Sequence, residues 1–158
     1  MPNEHRPRPR PHRAVVLALA VMALGLGGCS THTPEKKQGQ ILAEALAKTP
    51  NPTQARELVT VTIPSHGALA DQLAIASGGG ANATQLAALL SQVARSSTPR
   101  VLVIGGAPAL DAAVMQGALK GQRLEGLQVI FAGLPEQEAD IATLVRAAGA
   151  RFDFVSRQ

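Results

Sequence analysis

Two stretches decide the fold: residues 100–110, RVLVIGGAPAL, and residues 127–140, LQVIFAGLPEQEAD. Each opens on an apolar run too short for a helix and without the alternation of a half-exposed strand. Each then turns through glycine into a proline, which suits the first position of a helix, where the amide N–H has no helical partner to lose. After Pro108, Leu110, Val114 and Ala118 fall on one helical face, and Gly121 ends the run. After Pro135, Glu136, Glu138 and Asp140 load the first turn, where carboxylates complement the helix dipole. Ile141, Leu144, Val145 and Ala148 then form an inner face, and Gly149 stops it. Strand, helix, strand, helix in succession means parallel pairing through right-handed crossovers. Runs as uniformly apolar as residues 101–104 and 129–131 belong to strands covered on both faces. The similarity of the two units is shared strand–helix grammar rather than a repeat array.

The same grammar extends outward in both directions. Downstream, residues 152–155 close the chain as a strand. Upstream, residues 57–63, ELVTVTI, are β-branched and run into the turn Pro64-Ser65-His66-Gly67. Residues 68–77 read as a helix closed by Gly78-Gly79-Gly80. A second helix is expected to begin at Asn82 as N-cap, with Gln85 in capping-box register and Leu86, Leu89, Leu90 and Val93 buried. Residues 53–158 are therefore expected to form one α/β domain. It would be a small parallel-sheet βα sandwich of about four strands, flavodoxin-like or half-Rossmann in topology.

The N-terminal third has a different character. Residues 1–13 are basic and Pro-rich, residues 14–26 (AVVLALAVMALGL) are apolar, and Gly27, Gly28 and Cys29 follow. This is the three-part layout of a secretory signal. As a helix the apolar run would span about 20 Å, short of the roughly 30 Å hydrocarbon core of a bilayer. Leu26-Gly27-Gly28-Cys29 resembles the lipobox of bacterial lipoproteins, and the only cysteine of the chain stands at the position it requires. The resemblance implies a signal peptide over residues 1–28, cleavage before Cys29, and acylation (diacylglyceryl, palmitate) of Cys29, which anchors the chain to a membrane. Ser30 at the second mature position, in place of aspartate, implies the outer membrane of a Gram-negative cell, facing the periplasm. Without an outer membrane, the implied place is the outer face of the cell membrane. Residues 29–52 then hold the acylated cysteine, a polar tether (30–39) and a short amphipathic helix over 40–48. Thr49-Pro50-Asn51-Pro52 breaks that helix, which docks on the domain or on a partner.

Charge and composition narrow the function. The formal charge of +4 suggests a nucleic-acid binder until Arg6, Arg8, Arg10, Arg13 and Glu4 are set aside with the leader. Eleven basic and ten acidic residues remain, which gives no footprint for phosphate backbones, so nucleic acid is not an expected partner. Aromatics make up 2% of the chain, too few for base-stacking platforms. One cysteine excludes a disulfide framework or a Cys-based zinc site. Only His32 and His66 remain beyond the leader, so no multi-His metal site and no cofactor is expected.

Parallel sheets bind ligands outside the carboxyl ends of their strands. That edge should collect Ser65 and His66, Gly105 and Gly106, and Gly133. Gly105-Gly106 before a Pro-started helix would let an anion approach free backbone amides. GGAPAL, however, matches neither GxGxxG nor GxxxxGK[ST]. The plain alternative is a tight βα turn with Gly106 at positive φ. Ser65 or His66 would serve a hydrolase only with a base and an orienting group at hand, for which Asp111 is the acid expected on the same edge. No GxSxG elbow supports that reading, and no residue is assigned a catalytic role. The expected function is an accessory or interaction subunit of an envelope assembly with an envelope protein as partner. The alternatives are a module binding a small anion or peptidoglycan fragment, and a hydrolase.

Overall fold

The computed structural model describes residues 35–49 and 58–158. The expectations placed on the leader, on Cys29 and on Glu57 lie outside the described residues. Helix α1 (Gln38–Ala47) comes first, followed by strand β1 (Val59–Thr62). Helices α2 (Ala68–Ala76) and α3 (Gly80–Ala94) lead to β2 (Arg100–Ile104). Then come α4 (Pro108–Leu119), β3 (Gln128–Gly133), a 3-10 turn (Pro135–Gln137), α5 (Glu138–Ala147) and β4 (Arg151–Ser156). The four strands form one parallel sheet in the order β1-β2-β3-β4. The α/β parallel-sheet sandwich anticipated from the sequence is the fold observed. Its strands are laid down in chain order without reversal, the progressive winding of a half-Rossmann unit. Right-handed crossovers in one direction put their helices on one face of the sheet.

Alternate residues of each strand address opposite faces. On the first face, Val101, Val103, Val129 and Phe131 pack against α3, α4 and α5 through Leu90, Val114, Met115, Ile141 and Val145. On the second face, Leu102, Ile104, Ile130, Ala132 and Val155 pack against Ile41 and Ala45 of α1. Every residue of β2 and β3 is buried, as the unbroken apolar runs required. The short N-terminal helix thus docks on the sheet itself and supplies a layer the crossovers cannot.

Proline opens α4 at its first turn as expected. Helix α3, by contrast, starts at Gly80 with Gly79 as N-cap, and Asn82 lies inside its first turn. The reason is steric. Gly79 sits at φ +91°, and a Cβ there would come within 2.7 Å of the Val114 backbone in α4. The glycine run is where the α2–α3 turn presses on α4, so the break falls at the glycines rather than at the better capping side chain.

Candidate functional site

The carboxyl edge of the sheet has two differently built parts. At its centre, where β2 and β3 end, Asp111 projects from the first turn of α4 and is fully buried. Its carboxylate accepts the Gly106 amide at 2.8 Å and Gln137 Nε2 at 3.1 Å. Gln137 is buried in turn, and its Oε1 accepts the Leu134 amide at 2.8 Å. From the last strand, Arg157 donates Nη1 to the Gly105 carbonyl and Nη2 to the Gly106 carbonyl, and pairs with Glu35 at 3.1 Å. Its own backbone is tied on both sides, donating to Gly133 O and accepting from Lys36 N. Desolvation pushes the Asp111 carboxyl above the ordinary value of 3.8, against the opposing pull of the Gly106 and Gln137 donors and the Arg157 charge.

The glycines of this edge serve close packing. None of Gly105, Gly106 and Gly133 has positive φ, so the expected conformational role of Gly106 is corrected: what Gly106 supplies is space. A Cβ on Gly106 would come within 2.5 Å of the Ile63 carbonyl oxygen. One on Gly105 would collide with the Asp111 carboxylate, and one on Gly133 with the Phe131 ring and Gln137 Oε1. The amide that an anion would approach, Gly106 N–H, already donates to Asp111. The protein's own carboxylate occupies the end of α4 in the way a bound anion would.

The second part is the β1 corner. Ser65 and His66 are exposed, and both are held by Asp71 from α2. Ser65 Oγ donates to Asp71 Oδ2, and the His66 amide donates to Oδ1 at 2.9 Å. The hydrogen bond from Ser65 Oγ, then the one from the His66 amide, holds the Asp71 carboxyl below 3.8. The Ser65 hydroxyl therefore points its proton at a carboxylate rather than at an imidazole. Asp111, the acid expected on the same edge, is instead engaged with Gly106 and Gln137. The arrangement at Ser65 closes a loop.

Asp111 was legible as an edge residue because it stands three positions after the helix-starting proline. Asp71, Gln137, Arg157 and Glu35 were not anticipated. Asp71 had a usable signal, an acid early in a helix that follows a Ser-His-Gly turn. Arg157 and Glu35 had none, since they meet only once β4 and the start of α1 lie side by side.

Away from this edge, a groove of about 780 Å³ opens where α2, α4 and α5 end, lined by Gly78, Gln116, Lys120 and Leu144 among others. Among the described residues that line it, Lys120 alone is charged. Among the described residues, no group of His, Cys, Asp or Glu is placed to hold a metal ion. No helix among them is long and apolar enough to cross a membrane. Comparison with protein-family models, with curated proteins and with solved structures finds no match to this chain.

Proposed function

We propose that the chain is a lipid-anchored lipoprotein of the periplasmic side of the outer membrane, acting as an accessory or interaction subunit of an envelope assembly. The observation that carries the reading is the sole cysteine, Cys29, directly behind Leu26-Gly27-Gly28 at the end of a short apolar run with a basic start. Two further features support a binding partner that is a protein rather than a small substrate. The centre of the carboxyl edge is filled by Asp111, Gln137 and Arg157. The mature chain also carries nearly balanced charge, which suits a protein neighbour better than a polyanion.

The test has two arms. Cells making the full chain are labelled with radioactive palmitate, and the protein is then recovered from native envelopes by mild detergent extraction. The native chain is expected to take up label and to bring down a stoichiometric envelope protein, while Cys29→Ala takes up none. Normal labelling of Cys29→Ala would end the lipoprotein reading. A labelled chain recovered alone would end the assembly reading and leave the anchor.

A further inference from the structure

Among the described residues, the outer side of α2 packs against no other part of the domain. No residue of this helix is buried, and Leu69 and Leu73 are 74% and 66% exposed. They stand four residues apart, hence on one stripe, among the small residues Ala68, Ala70 and Ala76. The only charge on the helix, Asp71, is turned back onto Ser65 and His66. Single exposed leucines are common on protein surfaces, but two adjacent ones on an uncharged stripe mark a place for a further contact.

The place where the chain enters the domain indicates what that is. Lys36 N donates to the Arg157 carbonyl, and Glu35 pairs with the Arg157 guanidinium. That guanidinium lies on the Gly105 and Gly106 carbonyls, just past the end of β2. The chain therefore enters at the carboxyl edge, the same edge at which α2 starts after the β1 turn. Only residues 30–34 separate Glu35 from Cys29, a distance of at most about 20 Å when fully extended. An anchor on Cys29 would hold the carboxyl edge toward the bilayer at close range, with Leu69 in the first turn of α2 on that side.

We infer that α2 is a second membrane contact, with Leu69 and Leu73 seated in the interfacial region of the bilayer that holds the lipid on Cys29. This inference rests on the lipid-anchored reading above. A diacylated cysteine already holds the chain firmly, so a surface helix with two leucines orients the domain rather than anchoring it. The side turned away would then be the one with the groove at the ends of α2, α4 and α5, free for a protein partner.

The chain contains no tryptophan, so a single one reports its own surroundings. The full acylated chain, as Leu69→Trp or as Arg123→Trp, is reconstituted into vesicles of phosphatidylethanolamine and phosphatidylglycerol with brominated acyl chains. Arg123 is exposed on the loop between α4 and β3, at the opposite edge. Co-flotation and fluorescence quenching are then read on the same samples. Both variants should float with the vesicles, and bromine should quench Leu69→Trp several-fold more than Arg123→Trp. Flotation with equal or no quenching would overturn the inference while leaving the anchor intact. A blue-shifted but unquenched Leu69→Trp would overturn it too, because protein, such as a second copy, would then cover α2. Failure to float would remove the anchor, and the inference with it.

Discussion

The centre of the carboxyl edge and its β1 corner are built from the same unit, a strand followed by a turn and a helix with an aspartate near its start. They end differently. At the centre, Asp111 is buried and every donor aimed at it comes from the neighbouring turns, so the edge is closed by its own side chains. At the corner, Asp71 is half-buried, its partners Ser65 and His66 are exposed, and the helix behind it shows two leucines to solvent. The difference follows from position in the sheet. β2 and β3 have neighbours on both sides, whereas β1 is an edge strand whose Thr60 and Thr62 are also exposed. The sheet buries its interior strands and leaves β1 half-exposed and α2 without a buried residue. The closed centre holds the fold together, and the open corner leaves Leu69 and Leu73 exposed.

The comparison breaks first at Gly106. If its role is close packing, the Cβ itself is the problem, because it meets the Ile63 backbone at 2.5 Å. Gly106→Val should then cost about 3 kcal/mol, the upper end of overpacking, and Gly106→Ala most of that. Urea midpoints of the full chain check it. A harmless alanine with a damaging valine would mean that β-branching alone matters and that the centre is looser than described.

Next in size is Asp111→Ala, which leaves the Gly106 amide and Gln137 Nε2 without their acceptor. Each unpaired buried donor costs on the order of 1–3 kcal/mol, offset in part by no longer burying a carboxylate. A net loss of about 2 kcal/mol at neutral pH is expected in the same urea titration. A loss near zero would show that water reaches this edge and that the centre is as open as the corner.

What the sequence made legible follows from the range of each interaction. The bounds of β2 and the proline start of α4 were readable because local sterics and unbroken hydrophobicity decide them. The start of α3 was misplaced at Asn82 because the deciding contact, Gly79 against Val114, lies between residues far apart in the chain. Ser65, His66, Gly105, Gly106 and Gly133 were rightly gathered on one edge, since parallel topology alone brings them there. That Asp111, Gln137 and Arg157 fill that edge could not be read, because it depends on rotamers and on where β4 delivers its last residues. Nor does any periodicity announce that Leu69 and Leu73 point outward, for the apolar residues of α2 are spread around the helix.

The two aspartates respond to pH in opposite directions. For Asp111 the folded pKa is raised, so its contribution to stability is full below 3.8 and is lost as pH rises through the folded value. For Asp71 the folded pKa is lowered, so its contribution is present above 3.8 and is lost as pH falls through the folded value. Melting temperatures of the native chain minus those of Asp111→Asn should therefore fall with rising pH. The same difference against Asp71→Asn should rise with rising pH, and by less, because a half-buried carboxylate is screened by water. Two curves of the same sign would mean that centre and corner hold their carboxylates in the same way.

The smallest effect is the most telling for the corner. Leu69→Ser and Leu73→Ser, singly or together, should change the urea midpoint of the full chain in detergent solution very little. Surface substitutions stay within about 0.5 kcal/mol, and these side chains lose few contacts in the folded state. A buried leucine in this fold, such as Leu90 of α3 at 0% exposure, gives the contrast. Leu90→Ala should cost on the order of 2–5 kcal/mol. If the α2 leucines proved as costly as Leu90, the helix would be packed against protein in solution, and a second copy of the chain would be the first place to look. If they prove silent, folding does not account for the two leucines, which is the outcome the membrane contact inferred for α2 requires.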